Sequence, residues 1–353
     1  MPLPSPIPVT LLTGFLGSGK TTLLNHLIQQ LPHTAIIMNE FGEIGLDHQL
    51  LQRSEGPLAL LSGGCVCCTV QGGLSPTLKN LFMAASNGEI PYFERVVIET
   101  TGIADPAPII NSLINDRWVA ARFQLQGVVT TVDAVLAEQQ LESYQEAVKQ
   151  VAVADRLVLT KTDLTSAAHT EALKQEIAAM NSGAEIITAV RGEIDPAVLL
   201  HASPYNPATK LPEVAQWLRE ARFRPANGTS ALAMKIQPAA HFDNRLRSTS
   251  LYFDEPLELP ALYNAINTLT SPRAKHILRI KGIIRLRGKE TPTVIHGVQH
   301  ILYPPAELAD WPDDDRRSRL VIITYDLDET VLEKLIRDFT AAASASAEQV
   351  EGK

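Results

Sequence analysis

The chain has 353 residues, 45% of them hydrophobic and 20% charged, with a net charge of -8 and a pI near 5.6. That length allows about two domains, each large enough to bury a core. The acidic balance argues against nucleic acid or an anionic membrane as the main partner. No apolar run approaches the ~18 residues a membrane span needs. The opening "MPLPSPIP" has neither a basic nor an apolar leader region, so a cytoplasmic chain with reduced thiols is expected.

In chain order, "IPVTLLT" (7–13) is a short apolar run rich in β-formers, closed by a glycine-rich turn. "KTTLLNHLIQQL" then spaces Leu23, Leu24, Leu27, Ile28 and Leu31 at helical period. Buried-strand patterns recur at 34–40, 95–102, 126–134, 154–164 and 184–190, with helical patterns between most of them and at 170–181. Apolar strands alternating with helices predict an α/β fold: a P-loop NTPase domain with a mostly parallel, doubly wound sheet, over 1–200.

Residues 201–228 are proline-rich and read as a linker. Beyond them, strand patterns dominate: "SALAMKIQP", "STSLYFDEPLELP", "HILRIKGIIRLRG", "PTVIHGVQHILYP" and "SRLVIITYDL". With helices expected at Leu259 to Leu269 and Glu329 to Phe339, these predict a smaller C-terminal α+β domain over 229–340. The tail 341–353 is expected to fray.

"GFLGSGKT", Gly14 to Thr21, matches G-x-x-x-x-G-K-[ST] after a strand and at the start of a helix. Glycines let backbone N–H groups turn inward to cradle phosphate, and the helix N-terminus adds a favourable dipole. Lys20 would reach the β- and γ-phosphates and the Thr21 hydroxyl would ligate Mg²⁺. At the end of another strand, "VVIETTG" supplies Glu99, to contact Mg²⁺ through water or orient the attacking water. Three residues on, the Gly102 N–H could sense the γ-phosphate. "TKTD", Thr160 to Asp163, offers Lys161 to stack on a guanine and Asp163 to pair with its N1–H and amine. Thr160 stands where such motifs commonly carry Asn, keeping a hydroxyl to pin the loop. The following strand end, Ala189 to Arg191, is expected to pack near the base.

All three cysteines fall in "GGCVCC": Cys65, Cys67 and Cys68. Clustered and odd in number, they make a poor disulfide framework, whereas soft thiolates suit Zn²⁺, Cu⁺ and similar ions. In an extended segment Cys68 would face away from Cys65 and Cys67, so convergence needs a turn, which Gly63 and Gly64 permit. Buried structural thiols or a redox pair are the competing readings. A further acidic stretch, "NEFGEIGLD" (39–47), holds Glu40, Glu43 and Asp47. Asp47 or Glu40 could complete a Mg²⁺ shell and Glu43 could face the transition metal; solvated loop acids are the alternative.

These motifs, with "HILRIKGII" and "IHGVQHILY" further on, occur in the order seen in the CobW-type P-loop GTPases, and the chain is similar in particular to the YjiA branch of that family. The resemblance implies a metal-linked GTPase acting as a metallochaperone or insertion factor, with a C-terminal domain contributing to client recognition. It implies that Gly14, Gly17, Ser18, Gly19, Lys20, Thr21 and Thr22 carry phosphate and Mg²⁺, and that Glu99 to Gly102 form the second switch. Lys161 and Asp163 would read guanine, and Cys65, Cys67 and Cys68 would hold Zn²⁺ or another ion such as Co²⁺ or Ni²⁺. The function expected is slow hydrolysis of GTP to GDP coupled to delivery of metal to a client metalloprotein, with an oligomer possible. A nucleotide-dependent metal sensor without turnover and a P-loop small-molecule kinase are the alternatives.

Overall fold

A computed structural model describes residues 6–38, 58–60, 73–200, 235–238, 245–270 and 276–343. By internal contacts the chain divides into two compact units. One comprises Met1–Gln175 and Ala184–Pro204, the other Glu176–Gly183 and Tyr205–Lys353.

In the first unit, β1 (Ile7–Gly14) leads through a tight loop into α1 (Lys20–Gln30), and β2 (Thr34–Met38) and β3 (Leu58–Leu60) follow. Then come α2 (Leu74–Ser86), β4 (Arg95–Glu99), α3 (Ala107–Asn115), α4 (Arg117–Ala120) and β5 (Phe123–Asp133). The unit continues with α5 (Ala137–Ser143), α6 (Gln145–Val153), β6 (Arg156–Thr160), α7 (Ala167–Met180), whose residues from Glu176 count with the other unit, β7 (Glu185–Ala189) and α8 (Pro196–Leu200). The strands form one sheet in the order β3-β2-β4-β1-β5-β6-β7, every pair parallel. The doubly wound parallel sheet expected from the sequence is therefore present.

The reason lies in the side chains. Val9, Leu11, Ile36, Ile98 and Leu157 are fully buried within their strands, as strands covered on both faces require. On α1, Leu23, Leu24 and Leu27 share one face and pack with Leu12, Ile36, Val97, Val129 and Val158. Asp116 caps α4 by accepting hydrogen bonds from Trp118 N and Val119 N, and the bond from Val119 above all holds its carboxyl below the usual range. The strand β3 escapes sequence reading because three residues carry no period; it exists by pairing with β2.

The second unit's sheet is antiparallel: β8 (Lys235–Pro238), β9 (Leu246–Phe253), β10 (Ile277–Ile284), β11 (Thr293–Val298), β12 (Ile301–Leu302), β13 (Ala306–Glu307) and β14 (Ser318–Tyr325). Their order is β12-β11-β10-β14-β9-β8, with β13 beside β11. The helices α9 (Leu259–Thr270) and α10 (Glu329–Ala343) bury Leu262, Ile266, Leu332, Ile336 and Phe339 in one core with Phe253, Ile280, Ile284, Leu320 and Ile322. Two details depart from the sequence reading. "PTVIHGVQHILYP" is not one strand but a tight hairpin, because Gln299 turns with φ 52° between β11 and β12. Helix α10 also runs to Ala343, three residues into the stretch expected to fray; Ala341, Ala342 and Ala343 are the best helix formers. No helix among the described residues is long and apolar enough to cross a membrane.

Candidate functional site

The site lies at the C-terminal ends of the parallel strands. Gly14 closes β1, Gly17 and Gly19 take positive φ of 72° and 89°, and α1 starts at Lys20. No side chain caps the first turn of α1 and no acidic residue sits in it, so its free N–H groups and dipole suit an anion. Gly14 tolerates no substitute, since a Cβ there would fall on Thr131 Oγ1 and 2.7 Å from Ser18 Oγ, at φ 143°. Lys20 curls over the loop and donates from Nζ to the carbonyls of Gly14 (2.9 Å) and Phe15 (3.1 Å). Burial pushes the Lys20 ammonium below its usual pKa, while the charge of Glu99 works in the opposite direction. Thr22 lies exposed on the same turn.

Behind the loop runs a ladder of buried hydroxyls. Thr100 Oγ1 donates to Thr13 Oγ1 (2.8 Å), Thr131 Oγ1 donates to the Thr13 carbonyl (3.3 Å), and Ser18 Oγ and Thr131 Oγ1 are hydrogen-bonded at 2.7 Å. Thr160 Oγ1 reaches the Ser18 carbonyl at 2.8 Å and that of Val132 at 3.2 Å. This is the pinning role expected of a hydroxyl at that position. Thr13, Thr100 and Thr131 were not singled out from the sequence, although each is a hydroxyl residue where an apolar run ends.

Thr21 Oγ1 donates to Glu99 Oε1 at 2.8 Å, and Glu99 is only 5% exposed at the end of β4. The structure thus brings Lys20, Thr21 and Glu99 together. Gly102 packs directly on the loop: a Cβ there would stand 2.6 Å from Leu16 N and 2.8 Å from Leu16 Cα.

At the end of β6, Lys161 takes φ 56° and its Nζ donates to Asp133 Oδ2 at 2.6 Å. Asp133 is fully buried, and its other oxygen accepts from Val135 N (2.9 Å). Sequence reasoning missed Asp133; the signal is the carboxylate closing "VVTTVD" at the end of β5. Asp163 lies exposed in the short turn Thr162–Leu164. Beyond β7, Gly192 backs onto α1, where a Cβ would sit 2.8 Å from the Thr22 carbonyl.

Glu40, Glu43, Asp47, Cys65, Cys67 and Cys68 lie outside the described residues. Among the described residues no group of three His, Cys, Asp or Glu side chains is placed to hold a metal ion. The arrangement that is visible can bind a polyanion through loop amides, Lys20 and the α1 terminus, and it sets hard oxygen donors beside that position.

Comparison with known proteins places two profiles on the chain. "CobW/HypB/UreG, nucleotide-binding domain" matches residues 8–188, and "Cobalamin synthesis protein cobW C-terminal domain" matches 246–340. The zinc chaperone YjiA of Escherichia coli K12 is 34% identical over 332 residues, spanning 92% of this chain and 96% of the relative. The zinc chaperone CobW of Pseudomonas aeruginosa is 28% identical, over 94% of this chain and 91% of the relative. The crystal structure of Zn(II)-bound YjiA GTPase from E. coli superposes with a TM-score of 0.69 at 30% identity, covering 96% and 99% of the two chains.

Proposed function

The chain belongs to the CobW family of P-loop GTPases, and from that premise we propose that it is a GTP-hydrolysing metal chaperone. It binds a transition metal, Zn²⁺ foremost, at Cys65, Cys67 and Cys68, couples that site to the bound nucleotide, and passes the ion to a client metalloprotein in the cytoplasm. The observation that carries the reading is the convergence of Lys20, Thr21 and Glu99 at one glycine loop to which Thr160, the residue before Lys161, is also bonded, in a chain similar along nearly its whole length to proteins named zinc chaperones.

In this reading residues 1–200 are the GTPase domain and 229–340 the domain that meets the client. Gly14, Gly17, Ser18 and Gly19 turn backbone amides toward the phosphates, with Thr22 on the first helical turn. On binding, Lys20 exchanges the Gly14 and Phe15 carbonyls for phosphate oxygens, a favourable trade for a desolvated ammonium. Thr21 and Glu99, bonded at 2.8 Å, are hard oxygen donors that fit Mg²⁺. They would hold the ion, which when bound supplies charge neutralisation at the phosphates. Glu99 also orients the attacking water, and the Gly102 N–H meets the γ-phosphate. Lys161, tethered by Asp133, lays its stem along the guanine that Asp163 pairs with. Asp47 and Glu43 complete the Mg²⁺ and transition-metal shells. Intrinsic turnover is slow, because no arginine is assigned to the developing charge.

The test is a Zn²⁺ titration of the reduced protein against a chromophoric chelator, run without nucleotide, with Mg²⁺·GDP and with a non-hydrolysable Mg²⁺·GTP analogue. An affinity that differs between nucleotide states is expected, and by linkage metal must shift GTP affinity by the same factor. One affinity in all three states would remove the coupling. Zn²⁺ binding by Cys67→Ser as tight as that of wild type would remove the thiolate site.

A further inference from the structure

The segment after β4, Thr100 to Pro106, is held by more than its own strand. Thr100 N donates to the Leu12 carbonyl at 3.0 Å, and Gly102 rests on Leu16 with no room for a Cβ. The third support comes from α6. Gln150 is 1% exposed, and its Nε2 donates to the carbonyls of both Gly102 and Ala104, each at 3.1 Å. Both amide hydrogens are thereby used, and the flipped amide would aim an oxygen at two carbonyl oxygens, so the orientation is dictated. Gln150 Oε1 is buried with no hydrogen-bond partner among the described residues. The side chain thus leaves its own acceptor unsatisfied while serving the two carbonyls.

The helix carrying Gln150 is itself fixed to the sheet, since Thr130 Oγ1 donates to the Gln150 carbonyl at 2.9 Å. One residue earlier, Lys149 Nζ stands 3.7 Å from Asp105 Oδ2, and the other Asp105 oxygen accepts from Ala107 N at the start of α3. Helix α6 therefore grips the segment at residues 102, 104 and 105.

We propose that Gln150 is a positioning residue for the second switch. By holding the Gly102 and Ala104 carbonyls it keeps Gly102 pressed on Leu16, the position from which its N–H would meet a γ-phosphate. The inference rests on the reading of this segment as the γ-phosphate sensor of a GTPase. A GTP molecule then finds the switch in place, whereas GDP has no γ-phosphate to use it. Loosening the grip lets the segment leave the loop, and the ordering entropy that Gln150 had removed must then be supplied by GTP binding.

The experiment measures affinity for Mg²⁺·GDP and for a non-hydrolysable Mg²⁺·GTP analogue by calorimetry on the full chain. It uses wild type, Gln150→Met, Gln150→Glu and Lys149→Ala. The Met variant keeps the length and drops the donors; the Glu variant faces two carbonyls with a carboxylate. Expected is a loss of about tenfold in affinity for the GTP analogue with Gln150→Met, in the usual range of site coupling. The loss should be larger with Gln150→Glu, and GDP affinity should change less than about twofold. Lys149→Ala, at a partly exposed ion pair, should show the same selectivity at about twofold. It serves as the readout if the buried substitutions prevent folding. Equal losses for both nucleotides, or no loss, would overturn the inference and leave Gln150 a structural residue. Failure of wild type to bind either nucleotide would instead overturn the GTPase reading itself.

Discussion

In the parallel sheet most of the buried polar side chains gather at one end, the Arg156–Glu185 pair at the starts of β6 and β7 aside, whereas in the antiparallel sheet they are spread along the strands. Thr13, Glu99, Thr100, Thr131, Asp133 and Thr160 are all buried within or just past the last three residues of β1, β4, β5 and β6. Thr249, Arg279, Thr293, Ser318, Arg319 and Thr324 are also buried, yet scattered over β9, β10, β11 and β14. The difference follows from strand direction. Parallel strands end together, so short polar residues that stop each apolar run meet their counterparts and can build a site. Antiparallel ends alternate, so a buried polar group meets a local partner or, like the hydroxyls of Thr249, Thr293 and Thr324, none among the described residues. Arg319, 3% exposed at its side chain, does so with Asp313, which accepts two hydrogen bonds of 2.7 Å from it.

The comparison breaks most directly at Lys20. Lys20→Ala should lower phosphate release from GTP by about 10²–10³-fold, the usual cost of removing a preorganised charge from a phosphoryl-transfer site. Asp313→Ala should leave that rate within a factor of about two. If Asp313→Ala abolished turnover, chemistry would not be confined to the parallel strand ends.

Stability should respond in the reverse manner. Asp313→Ala removes both bonds to a buried guanidinium and is expected to cost about 2 kcal/mol by denaturant unfolding, with Asp315 compensating in part. Thr160→Val keeps the shape and deletes the bond to the Ser18 carbonyl, at a cost of about 1 kcal/mol. Because that bond pins the phosphate loop, Thr160→Val should also weaken GTP and GDP binding equally. A stability loss without any change in affinity would demote the hydroxyl ladder to ordinary core.

The smallest effect separates the two regions by pH. Burial lowers the Lys20 pKa below its ordinary 10.5, so between the folded value and 10.5 the unfolded chain holds the extra proton. The lysine's contribution is therefore complete above 10.5 and lost as pH falls through the folded value. Tyr252 runs the other way. Burial pushes its phenol up to about 12, against the pull of Arg317 and Arg319, so its contribution is whole below pH 10 and lost as pH rises toward 12. Melting temperatures of Lys20→Met and Tyr252→Phe against wild type should show gaps that move in opposite directions with rising pH. Parallel curves for the two variants would mean that neither group titrates as its burial requires.

Much of the site was readable before any coordinates. "GFLGSGKT", Glu99 after "VVI" and "TKTD" each combine a strand end with the residue types phosphate and guanine chemistry needs, and short local patterns carry that information. Asp133 and Gln150 were not legible. Asp133 becomes a partner of Lys161 only because β5 and β6 pair in register, Asp133 beside Thr160. Gln150 lies on an amphipathic helix where a glutamine reads as surface, and only packing turns it toward Gly102 and Ala104.

The division has a physical origin. Period, composition and turn chemistry act over a few residues, so the amino-acid order by itself determined the alternation of strands and helices, the glycine loop and the chemistry at each strand end. Pairing order, the hairpin at Gln299, the three-residue β3 and the grip of α6 depend on contacts between residues far apart in the chain. Those contacts were decided by burial of the assembled sheet, which no local pattern encodes.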